Sequence, residues 1–131
     1  MPTLSRWHVR TAMLALLAGM VLAVVRSLAG AGMLDPLVIH LITVGWLTQM
    51  VFGVAFWLFP RFSADRPRGR EWLGWVGYAA LNAGIVCRAI GEPAAATGRP
   101  APAWLIASAV LQVVAVAAFV VNTWPRVEVR T

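Results

Sequence analysis

The stretch HLITVGWLTQMVFGVAFWLFPR, His40 to Arg61, decides the reading of this chain. Asp35-Pro36 just before it is a helix-opening pair, and Pro60 stops the helix. The run between them suits a bilayer crossing, which takes roughly 20 helical residues. A histidine stands about one turn inside its first end. An ionisable side chain inside a membrane span needs a partner and marks a candidate functional site.

The rest of the chain repeats the pattern. Of 131 residues, 60% are hydrophobic and 12% charged, with mean hydropathy +0.77. A soluble domain of this size carries far more polar surface. Four apolar segments, at about 10–28, 37–59, 72–90 and 103–123, are each long enough to span. They read as helices, because barrel strands alternate in polarity and run about 10 residues. The expected fold is therefore an all-α integral membrane protein, a single four-transmembrane-helix bundle with no separate soluble domain. Arg6, Arg10, the run Thr11–Val25 and Ser27-Leu-Ala-Gly-Ala share the outline of a signal peptide. Arg26 interrupts that outline, so the segment is read as the first span.

The net charge of +6 comes from eleven arginines and five acids, without a lysine. The arginines gather at span ends, which points to membrane orientation and away from nucleic acid. Arg6 and Arg10 precede the first span, Arg61, Arg66, Arg68 and Arg70 follow the second, and Arg126 and Arg130 follow the fourth. The other two loops hold only Arg99, beside Asp35 and Glu92. Both termini and the middle loop are expected to be cytoplasmic, in a bacterial-type inner (plasma) membrane. Trp7, Trp57, Trp72, Trp75 and Trp124 fall at the same boundary, as interfacial anchors do.

This topology places Arg26, His40, Cys87 and Arg88, from three spans, roughly 3–6 Å inside the outer boundary. Helical spacing puts Gly74, Gly77, Leu81, Gly84, Arg88 and Gly91 on one stripe, the mark of close helix contact, so Arg88 is expected to face inward. On the second span Gly45, Gln49, Gly53 and Phe56 form one stripe, and His40, Val44, Leu47, Val51 and Leu58 form the opposite one, so that one face is expected to meet sister helices and the other a ligand or a second subunit. Ser108, Gln112, Ala115, Phe119 and Asn122 share a face of the fourth span.

Two cations and an imidazole in one layer suit an anion or a metal complex. A haem fits: His40 as axial ligand, Arg26 and Arg88 on the propionates. A structural cluster also fits, with His40 hydrogen-bonded to a neighbour and the arginines reaching the headgroups. His8 lies at the opposite end and reads as an interfacial residue. A sixth ligand would come from His40 of a second subunit, from Met33 or from Cys87. Otherwise the iron stays open to a small gas. Neither a catalytic triad nor a glycine-rich phosphate motif occurs, and no acid lies mid-span, so independent catalysis and carboxylate-driven transport are not expected.

The pattern His40, Gly45-Trp46, Gly53, Pro60-Arg61 resembles the second span of subunit I of the haem–copper oxidases, of the nitric oxide reductase large subunit, and segments of NnrS-like membrane haem proteins. Leu81-Asn82-Ala83-Gly84, Arg88 and Gly91-Glu92-Pro93 add to the likeness. In the oxidase family the second-span histidine ligates the low-spin haem, and the resemblance implies that role for His40. The likeness covers about a third of the chain. The family's roughly twelve spans, copper ligands and second low-spin ligand have no counterpart, so oxygen reduction is not implied. The expectation is b-type haem on His40 in a homodimer or larger membrane complex, for electron transfer or small-gas (NO or O2) binding. The alternative is a cofactor-free accessory or scaffold subunit of a respiratory membrane complex.

Overall fold

The computed structural model describes residues 1–32 and 35–128. The described residues form four helices: α1 (Thr3–Leu28), α2 (Pro36–Leu58), α3 (Glu71–Ala96) and α4 (Pro102–Val127). All four are long and apolar enough to cross a membrane, and no strand occurs among the described residues. Connections are short, so neighbours run antiparallel. One end of the bundle, the termini end, carries the start of α1, the end of α4 and the 59–70 loop; the distal end carries the ends of α1 and α3 and the starts of α2 and α4.

Local chemistry sets the helix ends. Gly30 and Gly98 adopt positive φ (77° and 74°) just after α1 and α3. The next amide reaches back to the last turn in each case, Ala31 to the Arg26 carbonyl and Arg99 to that of Ala94. These are glycine-terminated helix ends, which use otherwise unpaired carbonyls. Asp35 caps α2 by accepting from the Leu37 amide at 2.8 Å, and Pro36 occupies the first helical position, where a missing N–H is harmless.

The helices outrun the apolar segments. α1 starts at Thr3, α3 continues through Pro93, and α4 continues through Pro125. Hydropathy marks only the part that suits lipid, whereas each helix runs on as long as its backbone bonds hold. Both prolines lie near their helix C-termini, where few turns remain to be disturbed.

Helix α2 is not a uniform α-helix. Pro36–His40 and Gln49–Leu58 are α-helical, but Leu41–Thr48 forms wider turns with i→i+5 bonding, a π-helix. Thr48 Oγ1 also donates to the Thr43 carbonyl, five residues back.

Packing is by close approach at glycines. A Cβ on Gly45 would lie 2.9 Å from Ala15 Cβ, and one on Gly53 2.6 Å from His8 Cβ, so α1 seats directly on α2. Gly77, Gly84 and Gly91 meet α4 at Ala115, Ser108 and Leu105. The glycine stripe expected on α3 thus faces its neighbours, and Leu81 on it is fully buried. The two helix pairs join through Phe52, Ala80, Leu81 and Ala115, with Phe52 stacked on Phe119 at 4.0 Å between centroids.

At the termini end, α2 stops because Phe59 turns to extended backbone and Pro60 follows. Pro60 has no N–H to offer the Phe56 carbonyl four residues back. Arg126, only 3% exposed, supplies the donors instead. Its Nη2 donates to the carbonyls of Phe56 (2.9 Å) and Phe59 (2.8 Å), and its Nε to that of Pro60 (3.0 Å). A side chain of α4 therefore caps α2. Arg126→Ala strands these carbonyls and is expected to lower stability by about 3 kcal/mol, read as denaturant unfolding in detergent. Arg10→Ala, on an exposed residue, is the control and should change stability by less than about 0.5 kcal/mol.

Candidate functional site

The distal end gathers the residues that the sequence singles out. His40 ends the first α-helical part of α2. Its Nδ1 lies 2.8 Å from the Pro36 carbonyl, one turn back, and its Nε2 lies 2.9 Å from Arg88 Nη2 of α3. A carbonyl can only accept and a guanidinium can only donate. Nδ1 therefore carries the hydrogen, and Nε2 accepts from Arg88.

Arg88 is held in turn. Its Nη1 donates to Glu92 Oε1 at 2.7 Å, one turn along α3, with both side chains about four-fifths buried. Its Nε is buried and has no hydrogen-bond partner among the described residues. Arg26, at the end of α1, pairs with Asp35 through Nε to Oδ2 at 3.3 Å. The other oxygen of Asp35 is the α2 cap, so this carboxylate ties α1 to α2 while starting α2. A hollow of about 160 Å³ lies between Arg26, Asp35, Pro36 and Glu92.

His40 and Arg88 are thus in direct contact, and Arg26 belongs to a neighbouring pair across that hollow. Asp35 and Glu92 complete the cluster, although the sequence places them in loops. For Glu92 the reason is the unexpected length of α3. The signal was present in the spacing, because Arg88 and Glu92 stand four apart, the distance at which opposite charges meet on a helix. Cys87 is a half-buried free thiol. Met33 lies outside the described residues.

These donors can be tested against a haem. An axial ligand needs a free imidazole nitrogen, but one nitrogen of His40 holds a carbonyl and the other holds Arg88. Propionate partners need unmatched arginines, but Arg88 and Arg26 are each matched by a carboxylate. The hollow is about 160 Å³, whereas ligand pockets span roughly 300–1,000 Å³. Among the described residues no group of three or more His, Cys, Asp or Glu could hold a bare metal ion, a separate matter from haem, which needs only an axial side chain. As arranged within one chain, the residues do not fit a haem.

A second polar cluster sits nearer the termini. His8, expected at the interface, is only 4% exposed. Its ring stands edge-on to Tyr78 at 5.0 Å and to Phe52 at 6.4 Å, and its Cβ rests over Gly53. Tyr78 Oη and Thr11 Oγ1 share a hydrogen bond of 2.7 Å. Among the described residues His8 Nδ1, Ser5 Oγ and both amide atoms of the fully buried Gln49 have no hydrogen-bond partner. The residues reveal this in part: His8, Ala12, Gly19 and Ala23 recur at helical spacing and form the buried face of α1. On α4 the expected polar face does join neighbours. Ser108 Oγ donates to the Gly84 carbonyl at 2.7 Å, and Gln112 donates to Ser108 at 3.1 Å.

Comparison with protein-family models, curated proteins and solved structures finds no match. The likeness of α2 to an oxidase span therefore stands on the residues quoted for it and on nothing wider.

The His40–Arg88 contact has a measurable consequence. In a double-mutant cycle, His40→Ala and Arg88→Ala should couple by about 1–2 kcal/mol in unfolding free energy. Strictly additive losses would show that the two side chains are neighbours without mutual stabilisation.

Proposed function

We propose that this chain is a cofactor-free membrane scaffold, a small accessory subunit of the kind that fills space in a respiratory-type membrane complex. One observation carries the reading: His40 Nε2, the atom that would ligate iron, accepts a hydrogen bond from Arg88, which is itself paired with Glu92. The cluster then works as a clamp. It ties α1 to α2 and α2 to α3 at the distal end, and it neutralises two arginines that would otherwise enter the membrane uncompensated. Met13, Leu17, Met20 and Val24 are all about half exposed and recur along one flank of α1, where lipid or a partner helix would lie. In this reading the chain has no catalytic activity of its own. Arginine placement supports cytoplasmic termini and a bacterial-type inner membrane.

A second reading, b-type haem in a homodimer for electron transfer or gas binding, is favoured by one feature. The Nδ1–H bond to Pro36 is the kind of support that a metal-ligating histidine has, and it leaves the lone pair on Nε2. That reading requires Arg88 to give up Nε2.

Visible absorption separates the two. Protein purified in mild detergent should show no Soret band, as prepared or after haem is added and excess removed. A Soret band that appears in the native chain and is lost in His40→Ala would replace the scaffold reading with the haem reading.

A further inference from the structure

The arginine-rich end of the bundle contains a site of its own. Residues 59–70 form a shaped loop: Phe62 N–H donates to the Pro67 carbonyl, Arg66 N–H to Ser63 Oγ, and Gly69 N–H to the Arg66 carbonyl. The loop is pinned to α4, where Asn122 Oδ1 accepts from the Arg70 amide at 2.9 Å. Gly69 makes the fit possible. Its φ is +71°, and a Cβ there would stand 3.0 Å from Asn122 Oδ1.

Three adjoining hollows of about 510, 470 and 300 Å³ surround this loop. The first two share Arg66, Gly69 and Arg70, and the last two share Phe62 and Pro125. Together they form one trough lined by Arg61, Arg66, Arg68, Arg70 and Arg126. Three acids also line it, Asp65, Glu71 and Glu128. Glu128 accepts from the Trp124 indole, and Glu71 meets Arg68 only at 3.7 Å. Among the described residues Arg61, Arg66 and Arg70 form no ion pair.

Arg126 adds an independent observation. It is buried at 3% exposure, all three of its hydrogen bonds go to neutral carbonyls, and among the described residues its Nη1 has no hydrogen-bond partner. Among the described residues it pairs with no carboxylate, and a buried guanidinium left so is costly. It lines the hollow of about 300 Å³, where an anion would supply the missing charge.

We infer that this trough binds the phosphate headgroup of an anionic phospholipid. Charge calls for a phosphate, and guanidinium forks suit its oxygens. Position calls for a lipid. The trough opens beside the exposed apolar flank of α4, including Val121 and Val127, and exposed Trp72 and Trp124 stand at the same level, as interfacial tryptophans do. An acyl chain would continue down that flank while the headgroup sat among the arginines.

The test is lipid titration of the purified full chain in mild detergent, read by native mass spectrometry and by thermal shift. Phosphatidylglycerol should bind at least tenfold more tightly than phosphatidylcholine. Arg66→Gln/Arg70→Gln should weaken phosphatidylglycerol roughly thirtyfold. Gly69→Ala should weaken it too, with every arginine still present, because the loop can no longer seat on Asn122. Arg6→Gln/Arg10→Gln removes the same charge from an exposed part of α1 and should leave binding unchanged. Circular dichroism confirms that each variant is folded. Equal binding of both lipids would overturn the proposal. So would equal losses from the two arginine pairs, which would mean diffuse charge attraction. Competition by glycerol 3-phosphate at the concentration where the lipid binds would reassign the trough to a soluble phosphate.

Discussion

A polar group inside a bundle built for lipid is costly without a partner, and at both ends of this molecule the chain supplies partners for the charged side chains that enter it. That constraint organises both ends of this molecule. At the termini end, Pro60 removes the donor that would satisfy Phe56, and Arg126 replaces it from a helix more than sixty residues away. At the distal end, Asp35 uses one oxygen to start α2 and the other to hold Arg26. Arg88 divides its donors between Glu92 and His40. Arg126, Asp35, Arg26 and Arg88 each reach a neighbouring helix, which is how a small chain with little interior holds its helices in register.

Glycine provides the complementary half. Lipid gives no hydrophobic reward for helix association, so contact depends on close packing and on polar bonds made across it. Gly84 shows both at once. Its lack of a side chain brings α4 near enough for Ser108 to reach the Gly84 carbonyl. Gly53 plays the same part for His8, whose Cβ lies over bare backbone in a contact that any larger residue would block.

Much of this was legible in the sequence. The four spans, their antiparallel order, the inward stripe on α3 and the polar face of α4 follow from apolar length and from spacings of three and four. The layer holding Arg26, His40 and Arg88 follows from depth alone. Pairing does not, because depth says nothing of rotamers: the chain matches each arginine with an acid that composition had assigned to a loop. Arg126 was legible only as a topogenic charge. Its capping role depends on where α4 crosses the end of α2, a tertiary fact. His8 was missed because α1 begins well before the apolar run that hydropathy detects.

The π-helical part of α2 explains the largest difference at the site. On a straight α-helix His40 and Gln49, nine residues apart, lie half a turn from each other, and a stripe reading sends them to opposite faces. Wider turns use about one more residue per turn. Over Leu41–Thr48, close to two turns, the backbone falls behind α-helical rotation by roughly 100–200°. The two side chains are thereby brought toward one side of α2. This agrees with what they meet: His40 reaches Arg88 of α3, and Gln49 is fully buried in the bundle. Without the π segment, either His40 would face away from α3 and lose Arg88, or Gln49 would turn its amide toward lipid. The change in helical pitch lets a single span place both polar side chains inside the bundle.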